Sequence, residues 1–136
     1  MAEGMGLMEQ ALYSALAANS TLVSLCPAGI WDTQSPPGTS ATFCLFQHIA
    51  GGDENLNPRQ SISAQYRVEV VSTNRGTAIA GANAIWSALL ASGAVAASGW
   101  TTWRVEENRF FNSVEDVNGV LWYRKGAFYT ISMDNA

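Results

Sequence analysis

The chain has 136 residues, carries a formal net charge of −4 at pH 7, and contains 11 acidic against 7 basic residues. This balance argues against a protein that binds nucleic acid without sequence preference, because such proteins cluster Lys and Arg against phosphates. The length predicts one domain, residues 1–136, and no apolar run reaches the ~20 residues that a membrane span requires.

The charged fraction is the most informative part of the composition. It is 13%, whereas roughly 25% is usual for a soluble domain. Interface cores are depleted in charge, so this deficit favours a surface that is partly covered by other subunits. The alternative is an unusually bland surface of Ala, Ser, Thr, Asn and Gly.

The N-terminus and the cysteines indicate the compartment. "MAEGMGLMEQ" lacks a basic region ahead of an apolar core, so we expect no secretory signal. Cys26 and Cys44 are too few for a disulfide framework, and Cys44 lies in an apolar run. Buried free cysteines, in a chain made in a reducing cytosol, are the prediction.

The first fifty residues predict helix before strand. Apolar residues recur at helical spacing from Met5 to Ala18, and Ser20 can cap one or two further turns. "GIWD" predicts a short strand, and "TQSPPGTS" predicts a loop because paired prolines continue neither helix nor ladder. Thr42 to Ala50 is dense in aromatic and branched residues and predicts a longer strand.

A polar segment, Gly51 to Gln60, is predicted to be a projecting functional loop rather than a tight hairpin, because of its length, polarity and paired glycines. The following "SISAQYRVEVVS" alternates well. Tyr66, Val68 and Val70 share one face of a predicted strand, and Arg67 and Glu69 share the other.

Gly76 and Gly81 then have the glycine spacing of a phosphate-binding loop. Such a loop also needs a lysine and a Ser or Thr directly after the second glycine. Ala82 and Asn83 stand there instead, so the phosphate-site interpretation fails. A helix from about Asn74 to Ala91, capped by Ser72 or Thr73, explains the same residues.

This helix has two predicted faces. The apolar stripe comprises Ala78, Ile79, Ala82, Ile85, Trp86, Leu89 and Leu90, and the opposite face comprises Gly76, Ala80, Ala84, Ser87, Ala88 and Ala91. A face of small residues favours close approach of another subunit, so Ala80, Ala84 and Ala88 are candidate interface residues. The alternative is an exposed face that carries few large side chains.

The C-terminal part predicts two further strands. "WTTWRVEENRFF" is the first, an "NG" turn at residues 117–119 is a hairpin signal, and "VLWYRKGAFYTISM" is one long or kinked strand. Only the span from Val71 to Trp100 is long enough for a crossover. The predicted class is α+β, a twisted, mainly antiparallel sheet with two helices packed on one face.

No catalytic, cofactor-binding or metal-binding residue is predicted, and the chain is not expected to be an enzyme. His48 is the only histidine and has no neighbouring ligands at metal-binding spacing. Glu106 and Glu107 are adjacent on a predicted strand, so they point to opposite faces and do not form an acid–base pair.

The order of these elements resembles the tail terminator (tail completion) proteins of long-tailed bacteriophages and related gene-transfer particles. The resemblance rests on "MEQALYSALAANSTLVSLCPAGIWD", "TFCLFQHIAGG", "AQYRVEVVSTNRGTAIAGANAIWSAL" and "EDVNGVLWYRKGAFYTISM". It implies a structural virion protein, made in the host cytoplasm, that forms a homohexameric ring on the tail tube, ends tube growth and provides the tail side of the head–tail junction.

The resemblance also implies the partners. They are the tail tube protein and a head-completion, stopper or connector protein of the neck, with DNA passing through the channel without specific binding and with no membrane. In such a ring, the polar loop Gly51 to Gln60 is predicted to project toward an axial neighbour or the lumen. Its polarity and length, rather than the resemblance, make Gly51, Asp53, Glu54, Asn55 and Arg59 candidate interface residues. The alternatives are another ring protein of the neck, such as a head-completion or stopper protein, and an unrelated small α+β ligand-binding domain.

Overall fold

The computed structural model describes residues 2–35, 38–55, 60–91 and 93–135. The elements in chain order are α1 (Ala2–Ala17), α2 (Ser20–Leu25), β1 (Ile30–Asp32), β2 (Phe43–Asn55), β3 (Gln60–Ser72), α3 (Arg75–Leu90), β4 (Thr101–Val117) and β5 (Val120–Asn135). The predicted α+β class is confirmed, and the one or two helical turns predicted from Ser20 form the short α2.

The five strands form one sheet in the order β1-β2-β3-β5-β4. Every pairing is antiparallel except that of β1 with β2, which is parallel. Strand β4 follows β3 in the chain but pairs with β5, so α3 and its flanking loops carry the chain over β5. This is the crossover for which the span from Val71 to Trp100 is long enough.

Asparagines cap the N-termini of α2 and α3, where Ser or Thr was predicted. The side chain of Asn19 accepts a hydrogen bond from the backbone N–H of Leu22, at 2.9 Å, and begins α2. The side chain of Asn74 accepts from the N–H of Thr77, at 3.0 Å, and begins α3. The hydroxyl of Ser72 instead accepts from the N–H of Asn74.

The core lies between the three helices and one face of the sheet, which we call the helical face. Met8, Leu12 and Leu16 of α1 are fully buried there, as the helical spacing predicts. The helical face of β3 supplies Tyr66 and Val68, which are also fully buried. The opposite side of the sheet, which carries Arg67, Glu69 and Arg124, is called the open face.

Helix α3 approaches the sheet most closely at Gly81. A Cβ atom at Gly81 would lie 2.5–2.7 Å from the side-chain carbons of Val70, which is shorter than real contacts allow. The glycine that resembled part of a phosphate loop is therefore a contact point between helix and strand, and it lies inside α3.

The segment predicted to be a polar loop is largely strand. Gly51 to Asn55 belongs to β2 and pairs with β3 from Ala64 to Gln60, so the prediction of a loop is wrong for these residues; residues 56–59 lie outside the described part of the chain. Gly51 has a φ of 87°. It follows a break in the register between His48 and Ala50, which lets the long hairpin bend.

We predict that Gly81→Ala lowers the free energy of unfolding by about 1–3 kcal/mol, because the added methyl group overpacks the contact with Val70. The control is Gly6→Ala in α1, where a Cβ atom meets nothing within 4 Å. That variant should be neutral or more stable by up to about 1 kcal/mol through helix propensity. Equal stabilisation of both variants in urea denaturation would contradict the close approach.

Candidate functional site

A groove on the helical face separates α3 from the β4–β5 hairpin. It has a volume of about 490 Å³, and Ile79 and Trp86 of α3 line one wall. The opposite wall includes Phe110 of β4 and Lys125 of β5. We call it the α3–β4 groove.

The apolar walls of this groove are exposed. Trp86 is 50% exposed and Phe110 is 76% exposed, although both belong to residue types that normally contribute most to a core or an interface. Large apolar side chains that cluster at the surface are typical of an interaction site. This groove is therefore the strongest candidate binding surface among the described residues.

The two charged residues that line the groove, Lys125 and Glu107, lie at different positions along the β4–β5 hairpin. Lys125 pairs across the hairpin with Asn112 and forms no ion pair with any described residue. Glu107 accepts a hydrogen bond from the Tyr129 hydroxyl, at 3.4 Å. Burial, with the nearby Glu107 carboxylate, raises the pKa of Tyr129, so this hydroxyl stays a donor.

The end of the β4–β5 hairpin extends beyond the rest of the sheet. Strand β3 ends at Ser72, opposite Tyr123 of β5, so residues 115–122 pair only with each other. We call residues 113–122, which add the two preceding residues of β4, the hairpin arm. Asn118 and Gly119 both have positive φ values, 54° and 84°, as the predicted two-residue turn requires.

The hairpin arm is apolar on both sides. Its exposed apolar residues are Val114, Val117, Val120 and Leu121. Cross-strand pairing puts Val117 opposite Val120, and Asp116 opposite Leu121. Since successive strand residues point to opposite faces, each side of the hairpin arm has its own apolar pair or patch.

A chain of ion pairs crosses the open face. Glu69 is only 4% exposed, and its two carboxylate oxygens accept from Arg67 and from Arg124, each at 3.2 Å. Arg124 also contacts Glu115 at 3.0 Å, and so links the centre of the sheet to the hairpin arm. A buried carboxylate needs such pairing because its desolvation is costly.

Two cation–π contacts and one aromatic pair lie on the same open face. The guanidinium group of Arg67 lies 4.5 Å from the ring centroid of Phe111, and that of Arg109 lies 5.1 Å from the centroid of Phe128. The two phenylalanine rings are 5.5 Å apart. Together these contacts hold β3, β4 and β5 in one rigid layer on which the hairpin arm is based.

Two predicted interface residues are corrected by the structure. Ala84 and Ala88 are 6% and 5% exposed and belong to the chain's own core, whereas Ile79 and Trp86, predicted as core, are exposed. The small side chains let α3 pack closely within its own subunit. Ala80 is exposed, so it stays a predicted interface residue.

Four other interface candidates lie together near the end of β2. Gly51, Asp53, Glu54 and Asn55 lie on β2, and Arg59 lies outside the described residues. Their proposed contacts stay a prediction. The groove and the hairpin arm were missed, although the uncharged run "FFNSV" between two charged stretches of β4 is a signal that could have indicated them.

The side chains that could act in catalysis or metal binding do not come together in one site. The ring of His48 lies against that of Tyr66 at a tilt of 48°, with centroids 5.5 Å apart, and its Nε2 lies 3.0 Å from the carbonyl oxygen of Gly51. Glu106 bonds Arg104 and Asn108, whereas Glu107 bonds Tyr129, so the two carboxylates do not converge. Across the described ranges, no group of three His, Cys, Asp or Glu residues could hold a metal ion.

Comparison with known proteins gives one kind of match. No protein-family model matches the chain, and no curated protein matches it. Among solved structures, a chain of the virion of a native gene transfer agent (GTA) particle is similar, with a TM-score of 0.72 and 19% sequence identity. The similarity covers 95% of this chain and 96% of that chain, so the two share a fold over nearly their whole lengths.

A search of the described helices for one that is long and apolar enough to cross a membrane finds none.

We predict that Glu69→Gln lowers the free energy of unfolding by about 1–3 kcal/mol, because a neutral amide has one acceptor oxygen where two arginines each used one, and one of them loses its bond at this position. The control, Glu115→Gln, breaks the exposed pair with the same Arg124 and should cost about 0–1 kcal/mol. Equal losses in the two variants would show that burial of Glu69 adds nothing.

The two cysteines should resist alkylation in the folded protein. Both are free and buried, and burial raises the pKa of Cys26 from 9.0 to about 11 and that of Cys44 well above its ordinary value. At pH 8 we expect labelling by iodoacetamide to be at least about 100-fold slower in the native chain than in denaturant, since the thiolate is the reactive form. Rapid native labelling, measured by mass spectrometry, would contradict this burial.

Proposed function

We propose that this chain is a structural virion protein whose ring caps the tail tube, ends tube growth and forms the tail side of the head–tail junction. The observation that carries the proposal is the fold shared with a GTA virion chain over 95% of this chain. The order of elements in the sequence, which resembles tail terminators, supports the finer assignment to the end of the tail tube.

The surface of the subunit is consistent with a protein that functions in an assembly. Trp86, Phe110 and the valines of the hairpin arm are exposed in the isolated chain. Exposed apolar patches of this kind mark interaction sites in soluble proteins. The low charged fraction of 13% has the same explanation, because interface cores are depleted in charge.

A ring on a DNA-conducting tube also constrains the charge. A channel lined with clustered Lys and Arg would bind phosphates and slow the passage of DNA. This chain has a net charge of −4 and one lysine. We infer that DNA passes through the ring without specific binding.

The proposed partners follow from position in the particle. One face of a homohexameric ring would meet the last ring of tail tube protein, and the other would meet a head-completion, stopper or connector protein. The proposed axial contact comprises Gly51, Asp53, Glu54 and Asn55 of β2, together with Arg59, which is proposed from the sequence alone. Assembly would take place in the host cytoplasm, and the finished protein would reside in the virion neck.

We predict that particles made without this chain have tail tubes of uncontrolled length, because nothing stops addition of tube subunits. Restoring the chain should give tubes of one length with a ring at the head-proximal end, measured by electron microscopy of negatively stained tails. Normal tails that fail to join heads would assign the chain to another neck ring. Normal, joined tails would contradict a role in the neck altogether.

A further inference from the structure

The hairpin arm and the α3–β4 groove are two separate apolar surfaces of one chain, one projecting and one concave. We propose that the hairpin arm of one copy docks into the α3–β4 groove of the next copy, and that this contact, repeated, closes the ring. The inference rests on the proposed function, since a ring is the assembly that needs such a contact.

We infer that a second copy of the chain occupies the groove, because the projecting surface of one copy can fill the concave surface of another. A contact between two different patches of identical chains is heterologous. Each chain then presents one patch to one neighbour and the other patch to the neighbour on its opposite side. Such contacts propagate head to tail and close into a ring when the rotation between copies allows. A single self-complementary patch would instead stop at a dimer.

The side of the hairpin arm that continues the helical face combines apolar and acidic groups. Cross-strand pairs put Val114 opposite Tyr123, and Asp116 opposite Leu121, on the same side as Phe110. Val114 and Leu121 are exposed. Asp116 accepts one hydrogen bond from the described residues, on Oδ1 from the N–H of Gly119, which leaves Oδ2 for a cation of the neighbour.

The groove offers the complementary set. Ile79, Trp86 and Phe110 provide exposed apolar surface, and Lys125, the single lysine of the chain, is part of the same lining. The acidic Glu107 bonds Tyr129, four residues along β5 from Lys125, which is about 13 Å of extended strand. An acidic arm can therefore approach Lys125 without meeting Glu107, and opposite charges at matched positions fix the register of the contact.

Crosslinking tests the contact directly. Leu121→Cys on the hairpin arm and Ile79→Cys in the groove are introduced together in one chain, and a short bismaleimide is added to the protein free and bound to cognate tail tubes. The native Cys26 and Cys44 are buried, so reaction is confined to the new thiols. We expect a ladder of covalent multimers that ends at the ring.

Two controls use the same two positions separately, and a third moves one cysteine outside the groove. Each single-cysteine chain should stay monomeric on a denaturing gel, and an equal mixture of the two single variants should give dimers only. Val23→Cys on α2 is as exposed as Leu121 but lies outside the groove, so its combination with Leu121→Cys should give no ladder. A ladder from that control pair, or none from the groove pair, overturns the contact.

A charge exchange tests the register without relying on crosslinks. Asp116→Lys and Lys125→Asp, each alone, should reduce the amount of ring on tubes by roughly tenfold, because like charges then face each other. Both changes in one chain should restore it. Failure of the double variant, when thermal melts show that all three variants are folded, contradicts the proposed pair.

The outcomes also separate this contact from the proposed function. Tails of normal length, capped by a protein that shows no ladder, would overturn the contact and leave the tail-cap role intact. A complete ladder with tubes of uncontrolled length would support the contact and overturn the tail-cap role.

Discussion

The pairing of β3 with β5 is the interaction on which the rest of the subunit depends. It is continuous from Gln60↔Asn135 to Ser72↔Tyr123, without a break in register. One face of this pair forms the floor of the core, with α3 held close through Gly81, and the other carries buried Glu69 between two arginines. Because β3 stops at Ser72 while β4 and β5 continue, the same pairing also determines where the hairpin arm leaves the sheet.

The position of α3 links the core to the proposed interfaces. Gly81, Ala84 and Ala88 turn inward, so the small residues are used for close packing within the subunit. The large Ile79 and Trp86 are therefore left on the outer side, facing the β4 strand across the groove. Large apolar side chains exposed in this way are typical of an interaction site, and a neighbouring subunit over the groove would account for them.

The local patterns predicted most of the fold. Alternation gave the faces of β3, spacing gave the buried side of α1, and "NG" gave the last turn, since each depends on near neighbours in the chain. The length of β2 and the buried side of α3 depend on partners distant in sequence, and a polar composition such as that of Gly51–Asn55 does not reveal a strand partner. The groove and the hairpin arm could not be predicted for the same reason. Trp86 and Phe110 line one groove only because β4 pairs with β5.

We propose that this chain forms a closed ring in the neck of a particle, with its exposed apolar surface covered by neighbouring copies. The most direct measurement is a cryo-electron microscopy reconstruction of the head-proximal end of intact tails, at a resolution that shows side chains. We expect one ring of this chain above the last tube ring, with Trp86 and Phe110 buried between adjacent subunits. A ring built from another protein, or a ring of this chain in which both side chains face solvent, would contradict it.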